Sequence, residues 1–382
     1  MRRPRCRGLG ASPWRSIPLV WRGKATRTIV IHFVLLIACA IAIYMSCEWF
    51  VNAVEWLGQR LKVGRLAVGT ILAAFGTALP ESVVTFVAVV FGHGAEQKDI
   101  GVGAAMGGPL ALATVAYGVT GALMLARRRS HRRDLVIAGS MPSRGGSTPD
   151  AADGGGDVVD TAKLARDQTW FLAIFVVKVT LGLVAFAIKP WLGLLFFVAY
   201  AVYFWREIRA ADNGGHGGGE GLAPLRLQRR RAVPTTTAVI AQTLVTLAVI
   251  FAASQLFVRQ LEAVGPTLGL SAAVTALLLS PIATELPEIM NAIIWVRQGK
   301  TPLALANISG AMMIQATVPS GLGLLFTPWR FTAPLLLSGL LTMAAIVYLL
   351  VLLKTARFTA NRICAAMVLY LLFAIGMAVI AG

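Results

Sequence analysis

Charge is scarce in this chain. Of its 382 residues only 14% are Asp, Glu, Lys or Arg, and the acidic ones number 17 against 35 basic. With 57% hydrophobic residues and a mean hydropathy of +0.73 there is too little polar surface for a water-soluble domain of this length, so the bilayer must be its main solvent. Cysteine is also sparse. Cys6, Cys39, Cys47 and Cys364 show no metal-ligand spacing, and Cys39 and Cys364 fall inside apolar runs, so they read as small apolar side chains. Histidine forms no cluster: His93, His131 and His216 fall in expected loops, and His32 opens an apolar run as a structural residue. With no His-Glu metal motif and no Gly-x-Ser-Gly nucleophile, an intramembrane enzyme is not supported, and no cofactor is expected.

What is abundant is long apolar runs. Ten windows of about 20 residues, the length that crosses about 30 Å of hydrocarbon, recur along the chain. The formal charge of +18 points first to nucleic acid, but nearly all the basic residues sit between apolar windows and so read as topology signals; no nucleic-acid partner is expected. Residues 1–27 form a basic tail without an acidic residue, read as an upstream extension, an extra folded-back segment or a sign of reversed orientation, the first being preferred. No cleavable signal site follows it. The first repeat unit is expected over 28–205, with a polar cytoplasmic loop at 127–168 opening RRRSHRRD. A flexible Gly-rich linker at 206–234 follows, then a second unit over 235–382.

The two units resemble each other. At an offset of 207, FVNAVEWLGQRL aligns with FVRQLEAVGPTL and GTALPES with ATELPEI, so that Thr77, Leu79, Pro80 and Glu81 match Thr284, Leu286, Pro287 and Glu288. Chance similarity between apolar helices would match Leu and Val, not a T-x-L-P-E string. Five windows separate the copies, an odd number, so the copies face opposite sides of the membrane. The expected fold is all-α, ten transmembrane helices as two inverted five-helix repeats with broken helices at the midplane, the layout of secondary transporters. With the first span entering the cytoplasm, cytoplasmic loops hold 22 Lys or Arg and the external loops only Lys98, Lys189, Arg259 and Arg330.

The duplicated string carries the chemistry. Proline lacks the N–H that would bond residue i−4, so Pro80 frees the carbonyl of Gly76 and Pro287 that of Ala283. A carbonyl freed at membrane depth is tolerated only beside protein or a water-filled cavity. Glu81 and Glu288 follow directly, placing carboxylates beside exposed carbonyl and hydroxyl oxygens, the hard ligands that suit Na⁺ and Ca²⁺. A kink with a structural glutamate is the bland reading. Intramembrane carboxylates cost about 2.5 kcal/mol or more and are usually functional, and two symmetric copies strengthen that reading.

These motifs resemble the cation/calcium antiporter superfamily, whose two α-repeats each carry a G-T-S-L-P-E type motif followed by a G-N-x-x-G-S-N type motif. The resemblance spans nearly all of residues 28–382. It implies Thr77, Glu81, Thr284 and Glu288 as ion ligands, with Glu81 and Glu288 as the metal-binding pair. The second motif departs from the pattern: GAAMGGPLAL has Ala104, Gly108, Pro109 and Leu112 where the family puts polar ligands, while ANISGAMMIQ keeps Asn307 and offers Gln315. Glu285 replaces a serine of the first motif. Three carboxyls in one low-dielectric site cannot all stay ionised, which favours proton over sodium coupling. The leading expectation is therefore exchange of Ca²⁺ or another inorganic cation for H⁺ or Na⁺ across a bacterial inner membrane. The alternative is a transport-inactive scaffold or sensor. Lys178, inside the fourth window, is expected to snorkel or pair near a helix end. Glu48, Glu55 and Glu262 are expected at interfaces or along an ion pathway.

Overall fold

The computed structural model describes residues 19–61, 67–91, 95–137, 159–185, 188–213, 222–264 and 278–381. Among the described residues the regular structure is entirely helical. Nothing else is stable in hydrocarbon for a chain without a closed barrel, because only a helix satisfies every backbone polar group within its own segment. In chain order the α-helices are α1 (Leu19–Leu61), α2 (Ala74–Phe86), α3 (Ala95–Ala111), α4 (Tyr117–Ile137), α5 (Thr161–Leu183), α6 (Gly193–Asn213), α7 (Thr236–Val264), α8 (Ser280–Thr284), α9 (Leu286–Arg297), α10 (Thr301–Phe326), α11 (Ala333–Lys354), α12 (Ala360–Ala365) and α13 (Met367–Ala381). π-Helical turns at Val68–Ala73, Val87–Phe91 and Leu112–Ala116 join or extend α2, α3 and α4.

Among the described residues seven helical segments are long and apolar enough to cross a membrane, where ten spans are expected over the whole chain. Of the remaining expected spans, 67–91 holds two π turns, Thr161–Leu183 carries Lys178, and the helix over 280–297 is interrupted at Glu285, while residues 63–66, 186–187 and 268–277 lie outside the described residues. Large apolar side chains face outward, among them Ile37, Leu371, Ile375 and Val379, and the last is 76% exposed. Such a belt is costly in water and neutral against lipid tails.

Two expected boundaries shift. α1 begins at Leu19, inside the segment read as a tail, and α4 and α5 extend into the expected loop at 127–168. Asp160 caps α5 by accepting from the Lys163 N–H at 2.8 Å. Of the linker expected over 206–234, residues 214–221 lie outside the described residues. Its first part continues α6, and the stretch from Leu222 docks against α1 and α7. There Leu225 is fully buried, Trp56 Nε1 donates to the Ala223 carbonyl at 2.9 Å, and Gln242 Nε2 donates to the Trp49 carbonyl at 2.9 Å. Apolar Leu222 and Leu225 inside the Gly-rich stretch supply the area that holds it down.

α10 forms the centre of the molecule, with Thr301–Phe326 buried along nearly its whole length. It packs against α2, α3, α5, α6 and α9. Its closest crossing is with the π turn at Val68–Ala73: a Cβ at Gly69 would lie 2.9 Å from the Leu303 carbonyl, and one at Gly310 would overlap the Thr70 carbonyl. α1 and α7 run antiparallel alongside, His32 Nδ1 meeting Gln260 Oε1 at 2.6 Å near one end and Asn52 meeting Gln242 near the other.

Candidate functional site

The second T-x-L-P-E copy is a break in the helix. α8 ends at Thr284, Glu285 leaves helical geometry with φ −86° and ψ 3°, and α9 starts at Leu286 with Pro287 in its first turn. The cause is local: Pro287 offers no N–H to the Ala283 carbonyl, while its fixed φ suits the start of a new helix. Glu288 then lies in the first turn of α9, where the helix dipole favours a negative charge. The first copy differs from expectation. α2 runs unbroken through Pro80, and the irregularity appears as π turns on either side, which absorb the lost bond by widening the helix. The Glu81 side chain lies outside the described residues.

Around the break the structure gathers groups far apart in sequence. Glu285 is 0% and Glu288 1% exposed. The Thr77 hydroxyl, from the other copy of the string, is within hydrogen-bonding reach of the Glu288 carboxyl and donates to the Ala73 carbonyl at 3.0 Å. From α10, Gln315 Nε2 donates to Glu285 Oε1 at 2.8 Å, and Asn307 Nδ2 approaches the Glu288 carbonyl at 3.5 Å. Thr77, Glu285, Glu288, Asn307 and Gln315 therefore form one buried cluster. Two other expected residues turn away from it: Thr284 bonds back to the Pro281 carbonyl at 3.1 Å, and the Cα of Gly76 faces Phe50 and Leu247 of the α1–α7 pair. Ala283 is 2% exposed, directly before the break.

Sequence reading missed Asn291. It is fully buried one turn beyond Glu288, and both atoms of its amide lack a protein partner, as do Glu288 Oε2 and Asn307 Oδ1. Buried polar atoms are almost always bonded, so several unbonded oxygens beside one carboxylate mark a place built for a ligand. The Glu-x-x-Asn spacing was a usable signal, but Asn291 has no counterpart in the first copy, where Val84 stands. Cys47, read as a mere apolar filler, reaches the site's edge with Sγ 3.7 Å from the Pro287 carbonyl.

A model of the family described as "Sodium/calcium exchanger protein" matches residues 31–208 and 238–379, most of the chain. This protein belongs to the sodium/calcium exchanger family. Inner membrane protein YrbG of Escherichia coli (strain K12) is 26% identical over 310 residues, covering 77% of this chain and 79% of its own. Solved structures of the sodium-calcium exchanger NCX_Mj share the fold: one soaked with 10 mM Na⁺ and zero Ca²⁺ has a TM-score of 0.65 at 15% identity, over 90% of this chain and 98% of its own. Another, soaked with 10 mM Na⁺ and 10 mM Sr²⁺, has a TM-score of 0.66. The family is one of cation antiporters, and the long apolar helices and their outward-facing apolar belt make this chain an integral membrane protein.

Four further ionic groups lie outside the Glu288 cluster. Lys178 does not snorkel as expected. It is 0% exposed and donates to the Ala105 carbonyl at 2.7 Å. Glu55 joins α1 to the α9–α10 corner, accepting from Lys300 Nζ at 2.6 Å and Trp295 Nε1 at 3.0 Å. Glu48 pairs with Arg226 of the docked linker. Before the apolar part of α5, Asp167 is 3% exposed and lines a cavity of about 20 Å³ with Thr70, Asp160, Lys163 and Pro302. Burial first, and then the neighbouring Glu207 carboxylate, push the Asp167 carboxyl up to about 7. Glu207 is held by Lys163 at 2.7 Å and by the Thr70 hydroxyl at 3.1 Å. Among the described residues no group of three or more His, Cys, Asp or Glu converges as a metal cluster.

Proposed function

We propose that this chain exchanges Ca²⁺ for H⁺ or Na⁺ by alternating access, using ten spans arranged as two inverted five-helix repeats, 28–205 and 235–382. Its more basic end, with Arg60, Lys163 and Lys300, faces the cytoplasm by the positive-inside rule. Glu81 and Glu288 are the central ligands. Thr77, Glu285, Asn307 and Gln315 supply further oxygens, with the backbone at Ala283 contributing a carbonyl.

The observation that carries this reading is the Glu288 carboxyl, 1% exposed at a helix break, with Thr77 of the other repeat in reach and orphaned amide oxygens beside it. A purely structural carboxylate at membrane depth would be fully bonded, since each unmet hydrogen bond there adds to an already costly charge. Ca²⁺ takes about 6 to 8 oxygens and tolerates irregular geometry, which a mixed set of carboxylate, amide, hydroxyl and carbonyl oxygens from several helices provides. Charge neutralisation by two carboxylates would also suit a divalent ion.

The test is Glu288→Gln, which keeps volume and hydrogen bonding but removes the charge. Uptake of ⁴⁵Ca²⁺ into everted vesicles under imposed proton or sodium gradients should be lost, with insertion retained. A ligand that binds only the folded state raises its melting temperature by mass action, about 2.7 kcal/mol at a hundredfold excess over Kd. Ca²⁺ should therefore stabilise the detergent-solubilised parent and not the variant. If no physiological cation stabilises the parent more than Glu288→Gln, the assignment is wrong and a scaffold role takes its place.

A further inference from the structure

A cavity at the far end of α5 has no part in the ion cluster. α5 carries Lys163 in its first turn and ends at Leu183, so Lys189 lies at the end opposite the cytoplasmic cations. There Lys189 and Arg330 line, with Pro190, Thr327 and Pro328, a cavity of about 210 Å³. One ordered water needs only about 15 Å³, so the space admits a larger group. Two of the four cations expected in external loops thus meet at one place, against the trend that keeps cations off that face.

The fold builds this pair deliberately. Lys189 is 4% exposed, covered by its neighbours near the molecule's edge, and its ammonium donates to the Val184 carbonyl at 2.7 Å and the Trp329 carbonyl at 2.8 Å. An ammonium has three donors, so one N–H remains. Trp329 has φ 47°, a left-handed conformation that a bulky side chain rarely adopts. It is held there by burial, by its Nε1 donating to the Lys178 carbonyl at 3.2 Å and by its backbone N–H donating to the Thr327 hydroxyl at 3.1 Å. Arg330 follows and is set beside Lys189, while the Phe331 N–H fixes the turn to the Gly182 carbonyl at 3.1 Å.

Two like charges at one cavity repel. Residues 168–206 and 289–382 contain no Asp or Glu to offset them, and among the described residues neither cation forms an ion pair. Capping two carbonyls accounts for Lys189 but not for Arg330, which makes no hydrogen bond among the described residues. The surroundings point to the missing anion. Lys189 opens one candidate span, Phe326 closes another and Ala333 opens a third, so the cavity lies where the helices leave the hydrocarbon. Ile188 and Trp191 beside it are exposed, and an outward tryptophan belongs at headgroup level.

We propose that Lys189 and Arg330 form a phosphate-binding site at the external headgroup level, occupied by the phosphate of an anionic phospholipid whose tails lie against the exposed apolar side chains. Lys189 supplies its remaining N–H, and Arg330 a planar pair of N–H groups that fits two phosphate oxygens. The site requires only that the chain spans a bilayer, so its failure would leave the antiport proposal standing.

The experiment titrates delipidated protein in neutral detergent with phosphatidylglycerol, phosphatidylcholine or inorganic phosphate and follows the melting temperature. Phosphatidylglycerol should stabilise the parent at concentrations severalfold below those needed of the other two. Arg330→Gln should start level with or above the parent without lipid, because the repulsion with Lys189 is gone, and should lose most of the phosphatidylglycerol response. Arg357→Gln, which removes an exposed arginine at the opposite end of α11, should keep that response. Equal losses in the two variants would mean diffuse charge attraction and overturn the proposal, as would an unchanged response in Arg330→Gln. A response to inorganic phosphate equal to that to phosphatidylglycerol overturns the lipid assignment. Should Arg330→Gln fold poorly, Arg330→Lys, which keeps the charge without the planar fork, must weaken the phosphatidylglycerol response severalfold or the proposal falls.

Discussion

Asp167 gives a quantitative pH prediction. Its carboxyl is buried at the polar end of α5, close to the Glu207 carboxylate and the buried Tyr203 and Tyr117, with Lys163, Arg166 and Asp160 on its own helix. Burial, the largest cause, and then Glu207 outweigh the two cations, raising it from 3.8 to about 7. A carboxyl raised in the fold binds its proton more tightly there than in the unfolded chain. Its contribution is therefore fully present below the unfolded value and is lost as pH climbs from about 4 to about 7. The interval is about 3 units, equivalent to about 4 kcal/mol at most. Asp167→Asn removes the ionisation. The parent should lose stability between pH 5 and pH 7.5, while the variant stays level over that range and exceeds the parent at pH 7.5. Melting temperatures of the detergent-solubilised proteins across pH 5 to 8 measure this. A melting-temperature difference between variant and parent that is the same at every pH would refute the reasoning.

Two other predictions follow from single contacts. Asn291→Leu keeps the volume of a side chain whose amide has no protein partner, so it should leave the melting temperature without cation equal or higher while weakening Ca²⁺ stabilisation; unchanged Ca²⁺ dependence removes Asn291 from the site. Gly310→Ala drives a methyl into the Thr70 backbone, which cannot rotate away, so α10 and the π turn must separate at a cost of about 1–3 kcal/mol. A loss within about 0.5 kcal/mol would show that this crossing is not tight.

Much of the site was legible in the chain because it is written twice. The T-x-L-P-E string identified Thr77 and Glu288 before any fold was known, and the structure brings them within hydrogen-bonding reach although they are more than 200 residues apart in sequence. Asn307 and Gln315 were legible from their motif position. Asn291 and Cys47 were not, since neither is duplicated and neither is unusual in an apolar helix. The docking of the stretch after the glycines was not legible, because a few apolar side chains such as Leu225 decide whether a segment packs down.

Sequence by itself determined that the chain lives in a bilayer, is helical, is internally duplicated and carries paired proline-glutamate motifs. These follow from local properties: apolar run length, the missing proline N–H and the rarity of carboxylates in hydrocarbon. Only the tertiary structure decided which copy of the motif breaks its helix and which tolerates its proline, because that depends on whether neighbouring turns widen to absorb the lost bond. It also decided the fate of Lys178. Sequence shows a lysine in an apolar run, and leaves open whether its long side chain snorkels to the surface or pairs near a helix end. Its ammonium instead turns inward to the Ala105 carbonyl, which Pro109 on another helix leaves without a helical donor, and that pairing exists only once the fold brings the carbonyl within reach of the side chain.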